Sequence, residues 1–115
     1  DPPLGRRCHA LPAGDAVSRA VHYRDRNQFL ADRVPGSFWI SDQSGDATQS
    51  LLFFCPCGCG DKSVLTIGNG FKPNLGPRCP TWDWNGSTTA AELSPSVNWK
   101  GHWHGWLRAG AWRAC

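Results

Sequence analysis

The sequence predicts a small, mainly β domain with long loops, at most one short helix, and a metal ion that staples the fold. Three observations predict this class. Thirteen glycines and nine prolines are scattered along 115 residues, the apolar runs are short and rich in β-prone residues, and three cysteines crowd one turn. Frequent turn formers between short apolar runs are typical of β structure. A chain of this length is expected to form one domain, which we expect to be built on a single antiparallel sheet.

We divide the chain into an N-terminal arm or short helix over 1–33 and a zinc-binding β domain over 34–115. Residues 1–14 contain five of these glycines and prolines and predict an irregular arm. Residues 15–34 fit two structures. Asp15 could cap a short helix, whereas the stretch AVHYRDR alternates like a strand.

The elements of the β domain follow from turn signals and β-prone runs. A Pro-Gly turn leads into Phe-Trp-Ile within 34–42. The runs SLLFFC (50–55) and SVLTIG (63–68) predict a hairpin whose tip holds the crowded cysteines. TWDWNGS (81–87) predicts a strand that ends in an Asn-Gly turn, and a further strand is expected within NWKGHWHGWLRAGAW (98–112).

Charge and hydropathy argue against a nucleic-acid partner and against a membrane span. The formal net charge is +3, and all of the excess lies in residues 51–115, where the cations stand singly. Because a phosphate-binding surface usually shows a denser basic stripe, we favour a protein partner and keep nucleic acid as the less favoured alternative. No stretch approaches the ~20 apolar residues that span a bilayer. The seven tryptophans are expected in the core and at its rim, with a base-stacking or sugar-binding strip as the alternative.

The segment FFCPCGCGDK carries the strongest chemical signal. A disulfide between residues i and i+2 would close a strained ring, so each of its three cysteines would need a distant partner. Thiolates on a tight turn can instead converge on one metal ion, about 2.3 Å from each sulfur. Gly58 and Gly60 allow positive φ between the ligands, and Pro56 stiffens the turn. We therefore predict one zinc ion here, with disulfides or free thiols as the alternative.

Zinc prefers four Cys or His ligands, and the second source is the H-x-H pair in the last strand. Alternate residues of a strand share a face, so both imidazoles are expected to point the same way. Cys57, Cys59 and His104 are our first choices, and Cys55 and His102 compete for the remaining position. The alternative is a surface histidine beside one that donates to a backbone carbonyl.

An enzymatic use of this zinc would need an open coordination position and a nearby carboxylate base. Asp83 and Glu92 are the candidates, although Asp83 before Asn-Gly also fits a turn residue. There is no G-x-S-x-G and no H-E-x-x-H motif. We therefore favour a structural metal site in a non-enzymatic module, with a zinc-dependent peptidase or amidase and a capsid or tail component as alternatives.

The ordered set CPCGCG, TWDWNGS, LSPSV and HWHGWL resembles an uncharacterised family of small proteins encoded by bacteriophages and prophages. Over residues ~34–115 the resemblance implies a zinc-type site at Cys57, Cys59 and His104. Some relatives have a cysteine shortly before the histidine, where this chain reads Gly101-His102-Trp103. Related domains stand beside ubiquitin-like protein genes in bacterial operons, where a metal-dependent peptidase role has been suggested. The resemblance also implies a host or virion protein as partner and a location in the host cytoplasm or virion.

Overall fold

The computed structural model describes residues 17–114. Short strands dominate this part of the chain, and one helix precedes most of them. The elements in chain order are β1 (Val17–Arg19), α1 (Arg26–Asp32), β2 (Phe38–Ile40), β3 (Thr48–Phe54), β4 (Lys62–Asn69), β5 (Thr81–Trp84), β6 (Leu93–Ser94), β7 (Val97–Trp99), β8 (Trp103–Arg108) and β9 (Ala111–Ala114). The predicted mainly β class with one short helix is confirmed.

The strands form two sheets where the sequence predicted one. A four-stranded sheet has the order β1-β9-β8-β7, and a five-stranded sheet has the order β2-β3-β4-β5-β6. All neighbours are antiparallel except β4 and β5, which pair in parallel. The long loop over 70–80 carries the chain back to the start of that pair, because parallel neighbours need a crossover connection.

Aromatic side chains hold the two sheets together. Phe53 of β3 is fully buried and stacks on Trp112 of β9, with ring centroids 4.8 Å apart. The same ring meets the edge of Trp99 of β7 at 5.5 Å. The Trp112 indole Nε1 donates to the Gly36 carbonyl oxygen at 2.8 Å. These contacts fix the β3–β4 hairpin against the sheet that contains β7 and β8, and they place part of the tryptophan set in the core, as expected.

The helix begins later than the sequence suggested. Its N-cap is Asp25, whose side chain accepts a hydrogen bond from the Asn27 amide at 3.1 Å. It ends at Arg33, which takes left-handed φ and donates its amide to the Phe29 carbonyl oxygen. The buried Phe29 ring packs on Phe54 at 4.8 Å.

Two further predictions for the N-terminal arm were a helix cap at Asp15 and a strand over AVHYRDR. The predicted cap at Asp15 lies outside the described residues. The stretch AVHYRDR is not a strand, because His22 forms an isolated bridge with Phe38 and α1 begins at Arg26. The strand β1 lies just before that stretch and pairs with β9, while α1 packs on β3. In the described part of the chain, no helix has the length and apolar character needed to cross a bilayer.

Candidate metal centre and serine–histidine pair

The predicted hairpin with cysteines at its tip is confirmed. β3 and β4 pair over their whole lengths, and residues 55–61 form the turn between them. The Cys55 amide donates to the Asp61 carbonyl oxygen at 2.8 Å, which closes the turn. Gly58 and Gly60 have φ of 88° and 87°, the left-handed region that favours glycine. The turn thus directs three thiols to one place.

The three thiols form a compact group. The sulfurs of Cys55, Cys57 and Cys59 all lie within 4.8 Å of one another. The Sγ atoms of Cys55 and Cys57 are 3.0 Å apart, well beyond the ~2.05 Å of a disulfide bond. Cys55 is buried, Cys57 is half-buried and Cys59 is exposed. The group therefore lies at the boundary between the core and solvent.

Burial governs the protonation state of Cys55 and Cys59. It is the largest cause that raises the pKa of both Cys55 and Cys59 above the usual value for cysteine. Desolvation disfavours the thiolate, and the neighbouring sulfurs give it no positive partner. The folded protein alone consequently holds these groups as neutral thiols. A bound divalent cation would supply the missing charge and deprotonate them.

A second group joins this turn to the β7–β8 hairpin. His102 Nδ1 lies 3.4 Å from Cys59 Sγ, and its Nε2 lies 3.5 Å from Asp61 Oδ2. The imidazole stacks on Trp99, with centroids 4.4 Å apart and planes 23° from parallel. The His102 amide also donates to the Trp99 carbonyl oxygen at 2.9 Å. A tight turn and an aromatic ring therefore aim His102 at Cys59.

The expectation that the H-x-H imidazoles share one strand face is wrong. β8 begins at Trp103, so His102 belongs to the preceding turn and only His104 belongs to the strand. His104 is in neither of the two groups that could hold a metal. The structure thus places four of the five predicted ligands in two groups that share Cys59: the three thiols form one, and Cys59, Asp61 and His102 form the other. Three thiols and an imidazole are a donor set that suits zinc.

The candidate carboxylate bases and the remaining cysteines are not part of the thiol group or the imidazole group. Asp83 is half-buried on β5, opposite Ser94 of β6. The Glu92 carboxylate accepts a hydrogen bond from the Ala109 amide at 3.1 Å. Neither acid is in the thiol or imidazole groups, and Cys79 is an exposed thiol apart from them. Cys8 and Cys115 lie outside the described residues.

Sequence reasoning missed a second arrangement at the base of the β7–β8 hairpin. Ser96 Oγ lies 3.5 Å from His104 Nε2. Ser96 is half-buried just before β7, and its carbonyl oxygen accepts a hydrogen bond from the Trp82 indole at 3.2 Å. His104 is exposed on β8, opposite Asn98. The signal in the sequence was a serine one residue before a strand whose hairpin partner contains a histidine.

A serine hydroxyl beside an imidazole is the minimal unit of a nucleophile and its general base. Such contacts are often looser than a full hydrogen bond before substrate binds. Two chemically distinct arrangements therefore meet at the β7–β8 hairpin. Its turn places His102 beside Cys59, and its strand β8 places His104 beside Ser96, the residue just before β7.

Comparison with known proteins gives one match. No curated protein and no solved structure matches the chain. A family model does match residues 23–115, and its description is "Bacterial ubiquitination-like system serine protease (BubE)". The matched range covers α1, the thiol group and both members of the Ser96–His104 pair. This chain belongs to the BubE family of bacterial ubiquitination-like system serine proteases.

Proposed function

We propose that this chain is a serine hydrolase that cleaves acyl bonds of a protein in a bacterial ubiquitination-like system. Ser96 would be the nucleophile and His104 the general base. One observation carries the proposal: Ser96 Oγ lies 3.5 Å from His104 Nε2 in a member of a serine protease family. This departs from the non-enzymatic module that the residues alone favoured.

The reaction follows from the two groups. As the Ser96 oxygen attacks the carbonyl carbon of the scissile bond, His104 Nε2 takes the hydroxyl proton. His104 then gives that proton to the leaving amine or alcohol, and an acyl-serine ester remains. Water, deprotonated by the same imidazole, attacks the ester and releases the acid, and the proton returns to Ser96. No redox partner is needed, and both groups end as they began.

The surroundings of the pair support this assignment. The indole of Trp82, on β5, holds the Ser96 carbonyl oxygen at 3.2 Å and so restrains the backbone that carries the nucleophile. His104 stands on a regular strand, and its exposed ring can be reached by a large substrate. Sites that stand on regular elements hold their geometry better than sites on loops.

We further propose that the thiol group binds one zinc ion with a structural role. Cys55, Cys57 and Cys59 form one group, and His102 lies 3.4 Å from Cys59 Sγ. Gathered on one ion, these four side chains would close the coordination sphere. Bound zinc would cross-link the β3–β4 turn to the β7–β8 turn and contribute folding free energy. The phage context and a virion partner that the resemblance implied stay predictions beside this proposal.

A zinc-dependent hydrolase is the second candidate. It is favoured by the exposure of the group formed by Cys59, Asp61 and His102, in which the Asp61 side chain is 63% exposed. If one thiol left the metal, that carboxylate could act as a base for a bound water. The serine proposal is preferred because the family description names that class.

A fluorophosphonate probe tests the proposal without knowledge of the substrate, because it phosphonylates activated serines. We expect the probe to label the protein, with the adduct mapped to Ser96 by mass spectrometry. Ser96→Ala should abolish the label, and His104→Gln should slow labelling about 100-fold or more. Ser94→Ala, an exposed serine two residues away, is the matched control and should keep the label.

Two results would contradict the serine mechanism. One is a wild-type protein that takes no label, and the other is a label that survives in Ser96→Ala. A hydrolytic activity that a zinc chelator removes at once, in a protein that remains folded and labelled, would favour the second candidate.

A further inference from the structure

The outward face of the four-stranded sheet carries an unusual set of side chains. On β8 the burial alternates, so Trp103, Gly105 and Leu107 face the core while His104, Trp106 and Arg108 face outward. The pairing register extends this outward face across β9 and β1, because directly opposed residues share a face. The outward residues beyond β8 are Arg113 opposite Trp106, Ala111 opposite Arg108, Val17 opposite Arg113, and Arg19 opposite Ala111.

We call this surface the basic face and define it by Arg19, Arg108, Arg113 and Trp106. The Arg108 guanidinium lies 4.2 Å from the centroid of the Trp106 ring, a cation–π contact that fixes the side chain. Among the strand residues described in this sheet, no outward-facing side chain is acidic. At the border, the Glu92 carboxylate is engaged by the Ala109 amide. The face therefore carries three arginines and no acid on its strands, with the Glu92 carboxylate at its border.

A cavity continues the positive surface beyond β1. It has a volume of about 530 Å³ and includes Arg19, Arg24 and His22 in its lining, together with Thr88 and Thr89. None of the residues that line it is acidic. Two guanidinium groups and two hydroxyls are suited to carboxylates, which Arg binds with charge-assisted hydrogen bonds. The cavity and the basic face share Arg19.

The basic face is also continuous with the proposed catalytic pair. His104, Trp106 and Arg108 are alternate residues of one strand, so they follow one another at about 7 Å intervals. A segment that lies along β8 would reach His104 after passing Arg108 and Trp106. Such a surface serves to align a substrate rather than to react with it.

We propose that the basic face docks an acidic segment of the protein substrate and leads the chain into the Ser96–His104 pair. This inference rests on the proposed function and adds the chemistry that selects the substrate. A protein is favoured over a nucleic acid because the arginines stand singly on a short sheet and form no dense basic stripe. Arg108 also lies over the Trp106 ring and occupies one of the two ring faces on which a base could stack.

Fluorescence anisotropy with three labelled probes tests the inference. The probes are a short peptide of alternating Glu and Gly, the matching Gln and Gly peptide, and oligothymidine. We expect the acidic peptide to bind best. Its affinity should fall as ionic strength rises from about 0.05 M to about 0.3 M, because salt screens the attraction between surface charges. The neutral peptide should bind at least about fivefold more weakly.

Single substitutions then locate the binding surface. Arg113→Gln and Arg108→Gln should each lower the affinity for the acidic peptide about fivefold, which is the effect expected from losing one exposed charge pair. Arg78→Gln, an exposed arginine in the loop between β4 and β5, is the matched control and should bind as the wild type does. Circular dichroism checks that each variant keeps its fold. If Arg108→Gln disturbs the sheet by removing the Arg108–Trp106 contact, Arg113→Gln still tests the proposal because it leaves that contact in place.

Three outcomes would overturn the inference. The first is equal binding by the wild type and Arg113→Gln. The second is tighter binding of oligothymidine through the same arginines, which would make the surface a nucleic-acid site. The third is binding that requires removal of residues 1–16, which would mean that the chain covers this face itself. Fluorophosphonate labelling distinguishes the two proposals, because acidic-peptide binding without any label on Ser96 would refute the hydrolase and not the docking surface.

Discussion

Replacing Phe53 with alanine tests whether the contact between the two sheets also supports the metal centre. Phe53 is fully buried, and its ring contacts Trp112 at 4.8 Å and Trp99 at 5.5 Å. Removing a buried phenylalanine ring costs about 3–5 kcal/mol in the free energy of unfolding. Of this, each lost aromatic pair accounts for roughly 0.5–1.5 kcal/mol.

The expected fall in Tm follows from the length of the chain. An unfolding entropy of about 2.1 cal/mol/K per residue gives ~0.24 kcal/mol/K for 115 residues. The midpoint of thermal unfolding should therefore fall by about 12–21 °C. Zinc binding should weaken as well, because Trp99 also stacks on His102 at 4.4 Å and loses its other support. Loss of such an outer contact typically costs about 10–100-fold in metal affinity.

Thermal unfolding by circular dichroism and zinc competition with a chromogenic chelator measure the two effects. Val64→Ala on β4, which is 57% exposed, is the control and should lower the Tm by less than about 2 °C. A shift below about 5 °C in Phe53→Ala would show that the sheets are not held by this contact. A full shift with unchanged zinc affinity would refute the coupling to His102.

Three further predictions concern the histidines and a close strand contact. His102→Ala should lose zinc and melt at lower temperature, whereas His104→Ala should keep zinc; equal metal content in both variants, measured by mass spectrometry, would contradict the ligand set. Gly105→Ala should prevent folding, because a Cβ there would overlap the Arg113 carbonyl oxygen and lie 2.7 Å from the Trp103 ring. Gly45→Ala is the control, since a Cβ at that position meets open space. Soluble yield and circular dichroism compare the two variants. Burial, with Arg24 as the second cause, lowers the pKa of His22 in the folded protein. As the pH falls, the unfolded chain therefore takes up a proton at this histidine before the folded chain does. The free energy of unfolding should decrease as the pH drops through about 6.5. Urea unfolding at pH above and below that value should show a smaller pH dependence in His22→Gln.

The local parts of the fold could be predicted from the sequence. Short β-prone runs around FFCPCGCGDK predicted β3, β4 and the turn between them, because the residues of a hairpin are neighbours in the chain. The positive φ of Gly58 and Gly60 was predicted for the same reason. The division into two sheets was not, since the parallel pairing of β4 with β5 depends on where the loop over 70–80 leads.

The candidate site was predictable only in part. Converging thiols were evident from spacing alone, but the roles of the two histidines depend on a boundary of one residue. Because β8 begins at Trp103, His102 turns toward Cys59 while His104 faces Ser96. Ser96 gave no signal of its own, since it lies in no G-x-S-x-G turn and its partner is brought to it by the pairing of β7 with β8.

The positions of these two histidines connect the proposed metal site to the proposed chemistry. The backbone of Ser96 is held by Trp82, which belongs to the five-stranded sheet, whereas His104 belongs to the four-stranded sheet. The distance between nucleophile and base therefore depends both on the β7–β8 pairing and on the relative position of the two sheets. Zinc bound between the β3–β4 turn and His102 would lock that relative position at the hairpin tip, two residues from His104. A structural ion would in this way be required for activity while touching neither reacting atom, because a displacement of about 1 Å in a catalytic group can cost roughly 100-fold in rate.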